Sequence, residues 1–254
     1  MAVEKPGLHN VYRVTDRAFS GSSPEGDDGF RSLTDLGVKT VVSVDGAVPD
    51  ILAAKKHGLR YVHLPIGYEG MSESRVVELA KAIRDLPGPV YVHCHHGKHR
   101  GPAATVAAIR ALDSRCSAVQ LTQFLKDAGT DPKYAGLYAL AELPPPNLDD
   151  KPVAFRETAN VPDLTKRMVE LDETWDRLKK SPIEKDAVLF VEHYRELGRA
   201  TSDRNEDFRK FLDDGLASAE KLEATVRGKR DPKDEIAKSA AVCTLCHAKF
   251  RDKQ

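Results

Sequence analysis

The chain has 254 residues, 41% of them apolar and 31% charged, with 39 Lys/Arg balanced by 39 Asp/Glu. A net charge of zero leaves no bulk electrostatic case for nucleic acid or an anionic membrane as partner. No apolar run approaches the ~20 residues of a membrane span, and the opening MAVEKPGLHNVY lacks the apolar core of a signal peptide.

Residues 1–142 alternate between two kinds of pattern. Thr40–Val44, Arg60–Leu64 and Val90–His93 are short β-branched or aromatic runs, each preceded by a Gly-containing turn, and they predict strands. Helical patterns cover Gly29–Leu36, Asp50–Lys56, Ser72–Leu86, Ala103–Leu112, Ser117–Ala128 and Pro132–Leu143. In the third of these, Val76, Leu79, Ala80 and Ile83 repeat at helical spacing. Such alternation predicts an α/β domain with a mostly parallel sheet.

Residues 143–161 are rich in proline and polar side chains, and predict a semi-extended linker. From residue 162 to 254 every pattern is helical. Leu164, Met168, Leu171, Trp175 and Leu178 form one apolar stripe. Ala187, Phe190, Val191, Tyr194 and Leu197 form a second, and Phe208, Leu212, Ala219, Leu222 and Val226 a third. Ile236, Ala240, Cys243, His247 and Phe250 form a fourth. Four amphipathic helices with short connections predict an all-α four-helix bundle, possible also as one half of a homodimer.

Two motifs carry chemistry. The first is HCHHGKHRG, residues 93–101, between a predicted strand and a helix with proline in its first turn. A thiolate is a strong nucleophile, and a helix N-terminus plus a nearby cation favours it. Gly97 allows a tight turn and Gly101 a close approach, so that backbone N–H groups converge on one phosphate. Arg100 can clamp two phosphate oxygens.

These residues resemble the cysteine-dependent protein tyrosine phosphatases, in particular the dual-specificity branch. Residues 93–100 match HCxxGxxR at each fixed position, and the order of elements agrees over most of residues 10–142, including the GSSP turn at Gly21–Pro24 and YVHLPIG at Tyr61–Gly67. The resemblance implies attack by Cys94 on phosphorus and a phosphocysteine intermediate. His95, His96, Gly97, Lys98, His99, Arg100 and Gly101 would hold the phosphate, and His93 would orient the loop. The substrate would be a phosphorylated protein or another phosphomonoester.

The family's general acid is an Asp on the loop after the strand that YVHLPIG resembles. Here that loop reads GYEGMSES, so Glu69 is the expected acid and Asp45 the runner-up. The family also places Ser or Thr after the arginine, where this chain has Gly101, which points to slow release of the intermediate. The basic side chains of His95, His96, Lys98 and His99 either select a more anionic substrate, such as a phosphoinositide or a multiply phosphorylated target, or are loop variation without selectivity.

The second motif is CTLCH at residues 243–247. Cys-x-x-Cys-His spacing suits two thioethers to a haem with the histidine on iron, whereas zinc would need two further ligands. With Phe250 and Arg251 following, residues 162–254 resemble cytochrome c′. The resemblance implies one covalent haem c held by Cys243 and Cys246, His247 as axial ligand and Met168 as the sixth, with redox or gas-sensing function and an electron-transfer partner or a diatomic gas. Haem attachment of this type happens outside the cytoplasm, so the chain is expected to be a processed form of an exported, periplasmic bacterial protein. The alternative function is a haem electron carrier or gas binder whose phosphate-binding domain is slow or inactive.

Overall fold

A computed structural model describes residues 2–132, 134–149, 151–201 and 203–251. The chain divides into two compact units, residues 1–160 and 161–254.

The first unit is built on a six-stranded sheet of order β1-β2-β3-β6-β4-β5. Its strands are β1 (Ala2–Lys5), β2 (Leu8–Arg13), β3 (Ala18–Ser22), β4 (Thr40–Ser43), β5 (Arg60–His63) and β6 (Val90–Cys94). Helices α1 (Gly26–Asp35), α2 (Ile51–Lys56), α3 (Glu73–Asp85), α4 (Arg100–Leu112), α5 (Ala118–Asp127) and α6 (Ala135–Ala139) complete it. The sheet is mixed. β3, β6, β4 and β5 run parallel, while β1, β2 and β3 form an antiparallel meander.

The meander escapes the sequence patterns because its alternation is irregular and Asn10 interrupts it with a φ of +53°. The parallel strands obey period two. Val42, Val62, Val90 and Val92 face a core with α3 and α4 residues Leu79, Ile83, Ala104 and Ala108. Val41, Tyr61 and Tyr91 face the opposite core with Phe30 and Leu33 of α1. Because β6 lies between β3 and β4, its C-terminal end opens at the centre of the sheet.

Two expectations are corrected in this unit. The helix expected over Pro132–Leu143 shortens to α6, whose Gly136 is pressed against the Glu69 backbone, with an added Cβ 2.3 Å from the Glu69 carbonyl carbon. The segment expected as a linker, 143–161, is instead largely held along the first unit. Leu148 and Phe155 pack on its core. The Lys81 ammonium, on a side chain only 3% exposed, donates to Asp149 at 2.5 Å and to the Lys151 carbonyl at 2.7 Å. The Arg156 carbonyl accepts from His63 N–H at 3.0 Å, and Ala159 N–H donates to His63 Nδ1 at 3.1 Å. Buried charge and sheet-edge polar groups need partners, and this strap supplies them.

The second unit contains α7 (Asp163–Lys180), α8 (Glu184–Ala200), α9 (Glu206–Arg227) and α10 (Lys233–Phe250). Consecutive helices pack together around one core that includes Leu171, Trp175, Leu178, Phe190, Leu197 and Leu222. Asn205 caps α9 by accepting from Phe208 N–H at 2.8 Å. No helix among the described residues is long and apolar enough to cross a membrane.

Replacing Lys81 with Met should free the strap. Trypsin should then cut after Arg156 faster than in the native protein, with circular dichroism unchanged. Equal cutting rates would show that Lys81 does not hold the segment.

Candidate active site

Cys94 is the last residue of β6, and Arg100 is the first of α4. Five residues, His95 to His99, join them across the C-terminal end of the sheet. The loop's carbonyls are taken by elements outside it. His95 O accepts from Ser23 N–H at 3.0 Å. Gly97 O accepts from the Asn10 side-chain amide at 2.8 Å. Lys98 O accepts from the Thr130 hydroxyl at 2.6 Å. In a trans peptide C=O and N–H point opposite ways, so these outward carbonyls turn the N–H groups of His96, Lys98 and His99 toward the inside of the loop. That is the geometry of an anion cradle.

Gly97 makes the turn possible. Its φ is +68°, and a Cβ there would lie 2.3 Å from the Gly21 carbonyl carbon. α4 has no side-chain cap at its N-terminus, unlike α2, α3 and α5, which are capped by Asp50, Ser72 and Ser117. Its first-turn N–H groups therefore face the loop without a protein acceptor from the cap. Gly101 is packed tightly there: a Cβ would stand 3.1 Å from Cys94 N.

Cys94 is buried. Arg100 is also largely buried, with a side chain 13% exposed. Its Nη2 donates to Asp45 Oδ2 at 2.7 Å, and its guanidinium lies 4.8 Å from the centre of the Tyr68 ring. The Arg100 Nε–H is buried and has no hydrogen-bond partner among the described residues. A buried donor without an acceptor is costly.

Asp45 is not a proton donor. The same Oδ2 that receives Arg100 accepts the His95 N–H at 2.8 Å, while Oδ1 accepts the Ala47 N–H at 3.1 Å. Burial opposes its charge, but Arg100 and these two N–H groups outweigh burial and hold the carboxyl below its ordinary value. Ionised across the neutral range, Asp45 positions Arg100 and the loop. This corrects the expectation that it is the alternative acid.

His93 is buried, with Nε2 at 2.5 Å from the Tyr61 hydroxyl. Burial pushes its pKa down to about 4, so the ring is neutral at pH 7 and orients the strand end without charge. Glu69 is exposed on the loop between β5 and α3, next to Tyr68, which is half-buried over Arg100. Of the loop's basic side chains, His96 and Lys98 are exposed, while His95 and His99 are half-buried. Sequence reasoning misses Asn10, Thr130 and Tyr68. Tyr68 alone had a signal, being the neighbour of Glu69; its ring packs against that of Tyr134 at 4.5 Å, tilted by 43°.

In the second unit all three motif residues lie on α10. Cys243 and Cys246 are free thiols. Cys243 Sγ is 3.4 Å from the Tyr194 hydroxyl. Burial raises both thiols, Cys246 to about 11, so both are protonated at neutral pH. The buried face of α10 is set by Ser239 and Cys246, whereas His247, expected on the apolar stripe, is exposed. The physical reason is that α10 is rich in Ala, Ser and Cys and has only a weak apolar side. Met168 of α7 is half-buried against the same core. Positions 243 and 246, and positions 243 and 247, are neighbours on the helix surface, and neither sulfur is in a disulfide, while Cys246 is buried and His247 exposed.

No family model and no curated protein matches the chain. Solved structures resemble part of the chain. TpbA from P. aeruginosa is 19% identical, over 56% of this chain and 88% of that one, with a TM-score of 0.48. TpbA in complex with pTyr gives 19%, 57%, 88% and 0.48 in the same order. The core catalytic domain of the PP-IP phosphatase SIW14 from S. cerevisiae, in complex with citrate, gives 14%, 56%, 88% and 0.48.

The depressed Asp45 carboxyl makes a pH prediction. A group with a lowered native pKa stabilises the fold above its unfolded value, near 3.8, and loses that contribution as pH falls through the native value. Native protein should exceed Asp45→Asn in stability by on the order of 3 kcal/mol at neutral pH, the usual cost of breaking a buried pair. Urea titrations should show the gap closing below about pH 4. A gap of constant size down to about pH 2 would refute the assignment.

Proposed function

We propose that the first unit is a cysteine-dependent phosphatase of the tyrosine/dual-specificity type, acting on phosphate monoesters. The observation that most supports this is the buried Arg100 with an unspent Nε–H beside a loop whose N–H groups turn inward. Cradle, clamp and nucleophile are then within one seven-residue stretch.

In this mechanism the Cys94 thiolate attacks phosphorus. An S–P bond forms, the P–O bond to the leaving group breaks, and the departing oxygen takes a proton from Glu69. Loop N–H groups and Arg100 stabilise charge on the phosphoryl oxygens as it develops. Water then gives a proton back to Glu69 and attacks phosphorus, the S–P bond breaks, and inorganic phosphate and the thiolate result. Gly101 supplies no hydroxyl to assist this second step, so release is the slow one.

Cys94→Ser should abolish hydrolysis of an aryl phosphate, and native protein should show a burst of product before a slow steady state. Glu69→Gln should lower kcat by about 10²-fold or more for alkyl phosphates, whose leaving groups need a proton, and much less for nitrophenyl phosphate. Retained activity in Cys94→Ser removes the mechanism. An equal effect of Glu69→Gln on both substrates removes only the acid.

For the second unit we propose covalent attachment of one haem c, which Cys243 and Cys246 would hold, with His247 and Met168 as the residues that would ligate its iron. Such a group supplies one-electron chemistry or a site for a diatomic gas, and its attachment carries with it the proposal of an exported protein. Both thiols being free on one helix supports it. Protein made in a host competent for cytochrome c maturation should keep a Soret band after denaturation, and Cys243→Ser/Cys246→Ser should lose it. No band in the native protein overturns the proposal.

A further inference from the structure

Asn10 is far from the catalytic motif in sequence and sits on β2, outside the loop. It is one of two described non-glycine residues with positive φ, at +53°. Side chains seldom adopt that backbone conformation, and asparagine does so more readily than most. The Asn10 amide nitrogen has two N–H bonds, and both are spent. One goes to Gly97 O at 2.8 Å, the other to Ala128 O at 2.8 Å. Ala128 is the C-cap of α5 and is buried, so its carbonyl has limited access to water.

The Gly97 carbonyl belongs to the peptide whose other end is the Lys98 N–H. Glycine imposes little restriction on its own torsions, so this peptide can rotate more easily than its neighbours. Rotation would bring a carbonyl into the cradle in place of a donor. The Asn10 amide opposes it by holding the oxygen outward, and Ala128 fixes the amide in turn.

We infer that Asn10 is a positioning residue: it locks the 97–98 peptide in the orientation that presents its N–H to a bound phosphate. The inference rests on the phosphate-loop reading and goes beyond it. Asn10 touches neither substrate nor Cys94, and acts through the backbone it clamps.

Orthovanadate affinity, measured by calorimetry on the full chain, tests this directly. Asn10→Gly keeps the positive φ and deletes both donors. Asn10→Asp keeps the shape and replaces the donors with an oxygen. Tyr12→Phe is the control, because it removes the neighbouring tie between β2 and the end of α5, from the Tyr12 hydroxyl to Asp127 O at 2.7 Å, without touching the loop. Both Asn10 variants should bind vanadate at least about tenfold more weakly, the scale of one lost hydrogen bond to a charged group, while Tyr12→Phe stays near native. Thermal melts establish that each variant is folded, and if Asn10→Asp is not, Asn10→Gly carries the test. Native affinity in the Asn10 variants overturns the inference. So does an equal loss in Tyr12→Phe, which would make the effect a general loosening of β2. Native protein that binds no vanadate overturns the phosphate-loop reading itself, and this inference with it.

Discussion

The site depends on one constraint, that the carbonyls of the 94–100 loop must point away from its centre. A short loop has no internal partners for them, and a buried carbonyl without a donor costs free energy. Three separate parts of the first unit supply the donors: Ser23 just after β3, Asn10 on β2, and Thr130 just after α5. The meander β1-β2-β3 and the α5 end thus have a role that packing alone does not explain. They set the outer boundary of the loop, and that boundary decides which way the inner groups face. Close approach is part of the same arrangement, because Gly97 rests against Gly21 with no room for a Cβ on Gly97.

The proposed nucleophile and clamp, Cys94 and Arg100, are contiguous in sequence, and the structure places them at the two ends of one loop. The spacing of Cys94, Gly97 and Arg100 marks the loop, and periodicity marks the strand and helix on either side. The residues that hold the loop were not legible. Asn10 lies 87 positions from Gly97, and Thr130 lies 32 from Lys98. Nothing local distinguishes them from turn residues until the sheet brings them together. Asp45 was visible as a carboxylate at a strand end, but not its role, which depends on its burial against Arg100. The segment expected as a linker, 143–161, was only partly legible for a related reason. Proline-rich composition reports extended backbone, and extended backbone can lie against a fold as well as between two folds.

The helical unit shows where periodicity suffices and where it does not. The stripes of α7, α8 and α9 contain large side chains, and Leu178, Phe190, Leu197 and Leu222 are each fully buried. On α10 small residues leave several faces nearly equivalent. The helix settles with Ser239 and Cys246 inward, the Ser239 hydroxyl meeting that of Ser218 at 2.8 Å. Of the stripe expected there, Ile236, Ala240 and Phe250 pack on the core and Cys243 is half-buried, while His247 faces outward.

Charge in the first unit's site is arranged so that a ligand need not displace what is already there. Asp45 compensates the buried guanidinium in the free protein, which would otherwise be an isolated charge at high cost. It does so at Nη2 and leaves Nε unspent. A guanidinium offers five donors in a rigid plane, so one edge can stay on the carboxylate while another meets a phosphoryl oxygen. With His93 neutral and Asp45 paired, the groups left to attract an anion under the proposed function are the loop dipoles, the open end of α4 and the remaining arginine donors. All are fixed by the fold before a ligand arrives, and fixed donors lose little on reorganisation when charge develops.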